Sequence, residues 1–303
     1  MRGGAAGIGT WVLLLVGVCG ASMSAPLAAG TAASAVAVGF WRNALGTAVT
    51  LPYVAARRRG RMFRGLPRSA WAGSALAGVM LAIHFATWLS ALRMTTVAAA
   101  TALVGTTPIW TALLDVVRGV RVPRVVLAGI VIAIAGGLTI TGVDVAGDRR
   151  ALAGDGLALL GAISFGVYIA TGERVRRHVT TSEYAVLAYG TCALVLAPAA
   201  LLFDQRLTGF DRVTWLQLLA LTVTAQLLGH TLINAVLPRI GPTTVALALL
   251  FETPGAILVA WVWPGQTPSL WVIPGTALML AGLAIVVRAG RGPVGPDGVV
   301  EVT

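Results

Sequence analysis

Long apolar stretches, separated by short polar segments, follow one another along almost the whole chain. Ten of them lie at residues 7–24, 31–55, 70–91, 96–117, 123–143, 154–172, 182–203, 213–236, 242–263 and 269–288. A hydrocarbon core of about 30 Å requires about 20 apolar residues in a helix. A membrane β-barrel would instead show alternation over segments of about ten residues. The pattern therefore predicts an all-α, polytopic membrane protein with ten transmembrane helices.

Composition supports a membrane protein rather than a soluble one. Of 303 residues, 57% are hydrophobic and 11% are charged, whereas a soluble domain has roughly 25% charged residues. The first stretch follows Arg2 like a signal peptide, but nine further stretches exclude a soluble mature protein, so we interpret it as an uncleaved helix. Residues 291–303 are predicted to be a disordered cytoplasmic tail.

The basic residues indicate topology. The net charge is +11, and all 22 basic residues are arginines. With a cytoplasmic N-terminus, 16 arginines fall in cytoplasmic segments, five fall on the opposite side and Arg42 lies within a helix. This asymmetry follows the positive-inside rule and predicts both termini in the cytoplasm. The charge is thus a topology signal, with lipid contact as a secondary effect, and we expect no nucleic-acid partner.

The two halves of the chain repeat each other at an offset of 146 residues. His84 falls on His230, Thr107-Pro108 falls on Thr253-Pro254, and Arg93 falls on Arg239. We predict one repeat at 1–146 and a second at 147–290. Five helices per repeat place the second repeat upside down in the membrane, an arrangement found in transporters with a substrate site near the midplane.

Several segments resemble EamA-type proteins of the drug/metabolite transporter superfamily. The segment ALRMTTVAAATALVGTTPIWTALL at 91–114 is similar to a signature of that family, and 236–260 is similar to its second copy. Phe40-Trp41-Arg42 resembles the arginine-containing run of its second helix. One departure is Thr253, which separates Glu252 from Pro254 where the family often has Glu-Pro. The resemblance implies ten helices, an inner-membrane location and export or exchange of small metabolites, often amino acids.

A polar stripe in the eighth stretch is the best candidate for a substrate path. Gln226, His230 and Asn234 recur every four residues and therefore share one helix face. The alternative is hydrogen bonding between helices that holds the bundle together. The equivalent positions in the third stretch are Met80, His84 and Trp88, which suggest a substrate with an apolar part.

Ionisable groups within the membrane are the next candidates, because they are costly unless they are paired or hydrated. Glu252 is predicted either to bind substrate or a proton, or to form a structural pair. Its obvious partner is Arg42, for which a structural or coupling role is predicted.

Prolines and aromatic residues complete the candidate set. Pro108 and Pro254 are predicted to lie mid-helix and to kink their helices. Thr107 can donate to a freed carbonyl or to substrate. Trp11 and Trp88 are candidates for substrate contact, with core packing as the alternative. The Gly-rich fifth and tenth stretches predict either close packing or the face of a homodimer.

The predicted function is that of a secondary transporter. The chain has no P-loop, no HExxH and no GxSxG motif, so we expect no enzyme, no cofactor and no metal. We predict an exporter of a small organic metabolite, such as an amino acid, that works by alternating access. The alternatives are a multidrug or toxic-compound efflux carrier and an intramembrane lipid-modifying enzyme. The expected partners are the small-molecule substrate and the lipid bilayer.

Overall fold

The computed structural model describes residues 7–57, 63–95, 97–141, 149–262 and 270–289. The secondary structure of these residues is helical, and they contain no strand. We number ten helical segments: α1 (Ile8–Ser22 and Ser24–Ala29), α2 (Ala35–Arg57), α3 (Arg68–Ala91), α4 (Val97–Val104 and Thr107–Val117), α5 (Arg124–Thr141), α6 (Arg149–Val175), α7 (Thr181–Leu202), α8 (Arg212–Ile240), α9 (Pro242–Leu249 and Glu252–Val262) and α10 (Val272–Ala289).

The segments follow the order of the ten apolar stretches, so the predicted all-α class is confirmed. Seven spans are long and apolar enough to cross a membrane, in α1, α3, α4, α6, α7, α8 and α9. Shorter apolar helices occur in α5 (Arg124–Thr139) and α10 (Ile273–Val286). The described residues of α2 include Arg42 and Asn43, both buried. Ten membrane crossings remain a prediction.

Helix packing reflects the repeat. α2 packs on α7, α4 on α9 and α5 on α10, and each of these pairs joins equivalent helices of the two halves. α3 packs on α6 just as its equivalent α8 packs on α1. The contacts are therefore organised in pairs around an approximate twofold relation between the halves.

Glycines let α5 and α10 approach each other closely. A Cβ atom on Gly129 would lie 2.9 Å from the carbonyl oxygen of Gly282, and one on Gly136 would lie 2.5 Å from that of Gly275. The residue number rises along one helix as it falls along the other, so the two helices cross antiparallel. These glycines serve close packing within the chain, which is one of the two predicted alternatives; a homodimer stays a prediction.

Both halves contain a helix that is broken rather than kinked. The prediction that Pro108 and Pro254 lie mid-helix was wrong. The first part of α4 ends at Val104 and the second begins at Thr107, while α9 breaks between Leu249 and Glu252. Proline lacks an amide hydrogen but has a φ that suits a first helical turn, so it begins a helix more readily than it continues one. The Thr107 hydroxyl donates to the carbonyl of Val104 at 2.6 Å.

α8 contains a π-helical segment, Thr222–Thr231. Such segments are rare and occur frequently at functional sites. The Thr231 hydroxyl donates to the carbonyl of Gln226 at 3.1 Å. α1 reaches this segment through Gly20, where a Cβ atom would lie 2.6 Å from the Thr224 carbonyl oxygen and 2.9 Å from the Gly229 nitrogen. Only a residue without a side chain fits at that position.

Candidate functional site

Two small adjoining cavities lie where the broken helices meet. They share five wall residues, which lie on α3, α4, α6 and α9: Trp88, Val104, Phe165, Leu249 and Glu252. The first also has Thr101, Gly105, Thr107, Ala246 and Thr253 in its wall, and the second has Ala21, Ser24, His84 and His230. We call the two together the central cavity. The four half-helix ends of α4 and α9 thus converge on one place between the halves.

The breaks give the central cavity polar backbone in an otherwise apolar core. The first halves of α4 and α9 direct their C-terminal ends towards the breaks, and the second halves direct their N-terminal ends there. Helix N-termini attract negative charge and C-termini attract positive charge. Breaks of this kind are tolerated at membrane depth where the backbone is buried in protein or lines a cavity.

The volume of the central cavity is small in this conformation. Each of its two parts has about 20 Å³ of space for a water-sized sphere, which is enough for about one water molecule. Sites for drug-sized ligands typically measure roughly 300 Å³ or more. An organic molecule therefore requires the surrounding helices to separate.

The two histidines related by the repeat meet at Phe165. The ring of His84 is stacked 4.6 Å from that of Phe165 and 5.6 Å from that of Trp88, and its Nδ1 lies 3.0 Å from the carbonyl oxygen of Gly161. The ring of His230 lies edge-on to Phe165 at 5.6 Å. The sequence places these histidines 146 residues apart, and the fold places both in the wall of one cavity.

Arg42 is buried behind this wall in a hydrogen-bond network. Its Nε donates to Gln226 Oε1 at 2.8 Å, and its Nη1 donates to Ser24 Oγ at 2.8 Å. The guanidinium carbon lies 4.3 Å from the centre of the Phe85 ring. Gln226 in turn donates to Asn43 Oδ1 at 3.0 Å. We call Arg42, Gln226, Ser24 and Asn43 the arginine network.

The predicted structural pair between Arg42 and Glu252 is not formed. Both residues are described, and no nitrogen–oxygen distance between their side chains is within 4.0 Å. Gln226 and Ser24 take the place of the acid: α8 packs on α2 and brings Gln226 to Arg42, and Ser24 of α1 accepts the second hydrogen bond. Glu252 instead lies in the wall of both parts of the central cavity.

The three residues of the polar stripe on α8 make different contacts. His230 lies in the cavity wall, whereas Gln226 belongs to the arginine network. Asn234 donates to the hydroxyl of Tyr168 at 2.6 Å and to that of Tyr189 at 3.4 Å, so it joins α8 to α6 and α7. All three are buried. The geometry of Gln226 and Asn234 is that of the structural alternative.

The remaining candidates are partly assembled at the site. Trp88 and Thr107 lie in the cavity wall, and Pro108 and Pro254 lie in the first turns of the half-helices that reach it. Trp11 is half-buried on α1 and packs against the main hydrophobic core instead of the cavity wall.

Phe165 and Ser24 are among the wall residues that sequence reasoning missed. Phe165 stands between Ser164 and Gly166, and small neighbours around an aromatic ring were the available signal. Ser24 and Pro26 interrupt an apolar run, which was a sign of the break in α1 at Met23. Among the described residues, no group of three or more His, Cys, Asp or Glu side chains is placed to hold a metal ion.

Comparison with known proteins identifies relatives of both halves. The sequence matches the EamA-like transporter family over residues 7–142 and 152–288. A solved structure titled "Crystal structure of protein" is similar with a TM-score of 0.70 and 20% identity, covering 93% of this chain and 99% of that one. At this identity the similarity shows the fold alone. No curated protein matches the sequence.

Proposed function

Since the chain belongs to the EamA-like transporter family, we propose that it is a secondary transporter that exports a small organic metabolite, such as an amino acid, by alternating access. The observation that carries this proposal is the central cavity between two broken helices, one from each half of the chain. A site between pseudo-equivalent halves suits a carrier, because each half supplies one gate.

In the proposed topology the chain crosses the inner membrane ten times, and both termini lie in the cytoplasm. The arginine distribution supports this orientation. The antiparallel crossing of α5 and α10 supports inverted halves at 1–146 and 147–290, because these helices are equivalents in the repeat.

Transport requires the halves of α4 and α9 to move. The central cavity is too small for an organic substrate in this conformation. Part of its wall is made by helix ends. The backbone groups there can change hydrogen-bond partners at a smaller cost in free energy than those inside a continuous helix. We propose that opening separates the second half of α4 from the first half of α9, which pack on each other here.

A multidrug or toxic-compound efflux carrier is the second candidate. The rings of His84, Trp88 and Phe165 are stacked along one side of the central cavity. Stacked aromatic faces attract organic cations as well as flat apolar molecules. This lining favours the second candidate, whereas the broken helix ends serve either one.

Efflux from proteoliposomes tests the proposal. We expect at least one compound of a radiolabelled amino-acid panel to leave vesicles faster with the protein than without it, and a parallel panel of cationic dyes tests the second candidate. His230→Ala and Glu252→Gln should slow efflux. His178→Ala is the matched control, because His178 is exposed and lies outside the cavity wall.

Two results would contradict the proposal. One is that no amino acid and no dye moves faster than in empty vesicles. The other is that His230→Ala and Glu252→Gln leave efflux as fast as in His178→Ala, which would remove the central cavity from the transport path.

A further inference from the structure

Arg42 has more hydrogen-bond donors than the protein uses. Its side chain is fully buried, with Nε held by Gln226 and Nη1 held by Ser24. Its Nη2 is buried and has no partner in the described part of the chain. A buried guanidinium nitrogen without an acceptor is costly, because a charged donor has then lost its hydrogen bonds to water without replacement. The Nη2 edge of the Arg42 guanidinium is therefore available to an acceptor other than the described side chains.

Gln226 fixes the direction in which the Nη2 edge of Arg42 points. Its oxygen accepts from Arg42 Nε, and its nitrogen donates to Asn43 Oδ1. Both ends of the amide are therefore in use, and Gln226 has little left to offer a substrate. Its role towards a ligand is that of a positioning residue, which acts by holding Arg42.

The arginine network reaches the central cavity directly. Ser24, which accepts from Arg42, is a wall residue of the cavity. Phe85, on whose ring Arg42 lies, has its own ring 5.0 Å from that of His84 and 5.5 Å from that of His230. The guanidinium is thus separated from the cavity by a single layer of side chains.

A second buried donor, on α3, also lacks a partner in the described part of the chain. Trp88 lies in the wall of both parts of the central cavity, and its indole N–H has no acceptor in the described part of the chain. Indole and guanidinium nitrogens donate and do not accept. The two unused donors come from different helices: the indole N–H lies in the cavity wall, and the guanidinium lies behind it. A ligand that binds to both must supply hydrogen-bond acceptors.

We propose that Arg42 binds the carboxylate of an organic acid carried by this protein, that Trp88 donates to a polar group of the same molecule, and that Gln226 positions Arg42. This assignment rests on the proposed transport function and adds the substrate class. Carboxylates suit Arg because a planar guanidinium offers parallel N–H groups to two oxygens. The rings of Phe165 and His84 accommodate the apolar body of the molecule.

A matched pair of probes tests the charge requirement. The probes are 3-phenylpropionate and 3-phenylpropionamide, which have the same shape and differ in the carboxylate. Binding to the purified full-length protein is measured by titration, and efflux is measured from proteoliposomes. We expect the acid to bind at least about tenfold tighter than the amide, the factor given by one charged hydrogen bond.

Three variants locate the effect at Arg42. Arg42→Gln should remove the preference for the acid, so that the acid and the amide bind within about twofold of each other. Gln226→Glu places a carboxylate on Arg42 from within the protein, so it should also remove the preference, while still offering an oxygen to Arg42 Nε. Arg212→Gln is the control, because it removes an exposed arginine at the start of α8 and should keep the preference.

The outcomes separate this inference from the proposed function. If the acid and the amide bind and move equally well, or if Arg42→Gln and Gln226→Glu both keep the preference, the carboxylate site is overturned and the transporter stands. If neither probe nor any compound of the wider panel moves, the transporter itself is contradicted. If Arg42→Gln does not fold, Gln226→Glu decides alone.

Discussion

α3 and α8 occupy equivalent places in the two halves of the chain but have become different helices. Each carries a histidine at the same position of the repeat, and both histidines contact Phe165. α3 is a regular α-helix over Arg68–Ala91, whereas α8 is π-helical over Thr222–Thr231. Repetition thus preserves the location of a side chain while the backbone that presents it changes.

The neighbours of the two histidines differ in chemistry. Four residues before His84 stands the half-buried Met80, and four before His230 stands Gln226 of the arginine network. Four residues after them stand Trp88, in the cavity wall, and Asn234, which holds two tyrosine hydroxyls. The two helices therefore contribute differently to the site: α3 supplies aromatic wall residues, and α8 supplies the side-chain hydrogen bonds that hold the neighbouring helices in place.

Glycines also make close contacts of both helices. α3 contributes Gly78, where a Cβ atom would lie 2.6 Å from the carbonyl oxygen of Ala188 in α7. Where α8 meets α1, glycines lie on both helices: a Cβ atom on Gly20 would lie 2.9 Å from the Gly229 nitrogen, and one on Gly229 would lie 3.1 Å from the Ala21 nitrogen. The two helices therefore use glycine against partners that are not equivalent in the repeat.

Gly20→Val should produce the largest effect, because it drives a branched side chain into the backbone of the π segment. A Cβ atom alone would lie 2.6 Å from the Thr224 carbonyl oxygen. We expect the free energy of unfolding to fall by about 3 kcal/mol, the upper part of the usual range for overpacking. Equilibrium unfolding in mixed micelles of increasing SDS content measures it.

Gly9→Val is the control for this substitution, because a Cβ atom at Gly9 meets nothing within 4 Å. Gly20→Val as stable as Gly9→Val would mean that α1 does not need the close approach to α8. The contrast with α3 would then lose its packing basis.

Gln226→Leu should have the next largest effect on stability, because it removes the acceptor from a buried guanidinium. We expect a loss of about 2 kcal/mol in the free energy of unfolding, since the hydrogen bond to Arg42 is charge-assisted. The equivalent change in α3, Met80→Leu, should cost about 1 kcal/mol or less, as volume-conserving apolar changes do. Equal losses at the two sites would show that α8 has no special polar role.

The sequence was informative about helices and about the repeat because both depend on local or regular patterns. Apolar runs of about 20 residues predict membrane helices without knowledge of their neighbours. The offset of 146 residues correctly related His84 to His230, which share a cavity in the fold. What could not be predicted were contacts between helices that no spacing relates.

The arginine network illustrates the limit. Opposite charge suggested Glu252 as the partner of Arg42, but the side chains that reach it are Gln226 and Ser24. The choice depends on how α1, α2 and α8 are rotated against one another, which their apolar runs do not encode. Pro108 and Pro254 marked the places of the breaks at Gly105 and Leu250, but the sequence did not show whether each helix would kink or break there.

The two histidines provide a smaller and more specific test. His84→Phe keeps a ring against Phe165 and Trp88 but loses the hydrogen bond to the Gly161 carbonyl, so we expect a loss of about 1 kcal/mol in the free energy of unfolding. His230 has ring contacts alone among the described residues, so His230→Phe should cost less. Unfolding in SDS micelles measures both variants, and a larger loss for His230→Phe would reverse the assignment of His84 as the more firmly held ring.

The starts of the two helices offer the smallest contrast, and it depends on pH. Asp211 caps α8 by accepting from the Thr214 amide at 2.8 Å, whereas α3 begins after Pro67, which makes no such bond. Hydrogen bonds from Thr214 lower the pKa of Asp211 below its ordinary value of 3.8. Because the folded-state pKa is the lower one, the carboxylate stabilises the helix start above the ordinary value, and this contribution disappears as the pH falls through the folded-state pKa. Hydrogen exchange at Thr214 is compared between the parent protein and an Asp211→Asn variant, which keeps a neutral cap. We expect extra protection of the parent protein near pH 6 and less of it near pH 3, whereas amides at the start of α3 should show no difference between the two proteins at either pH. Extra protection that persists unchanged at pH 3 would show that the charge of Asp211 does not contribute to the start of α8.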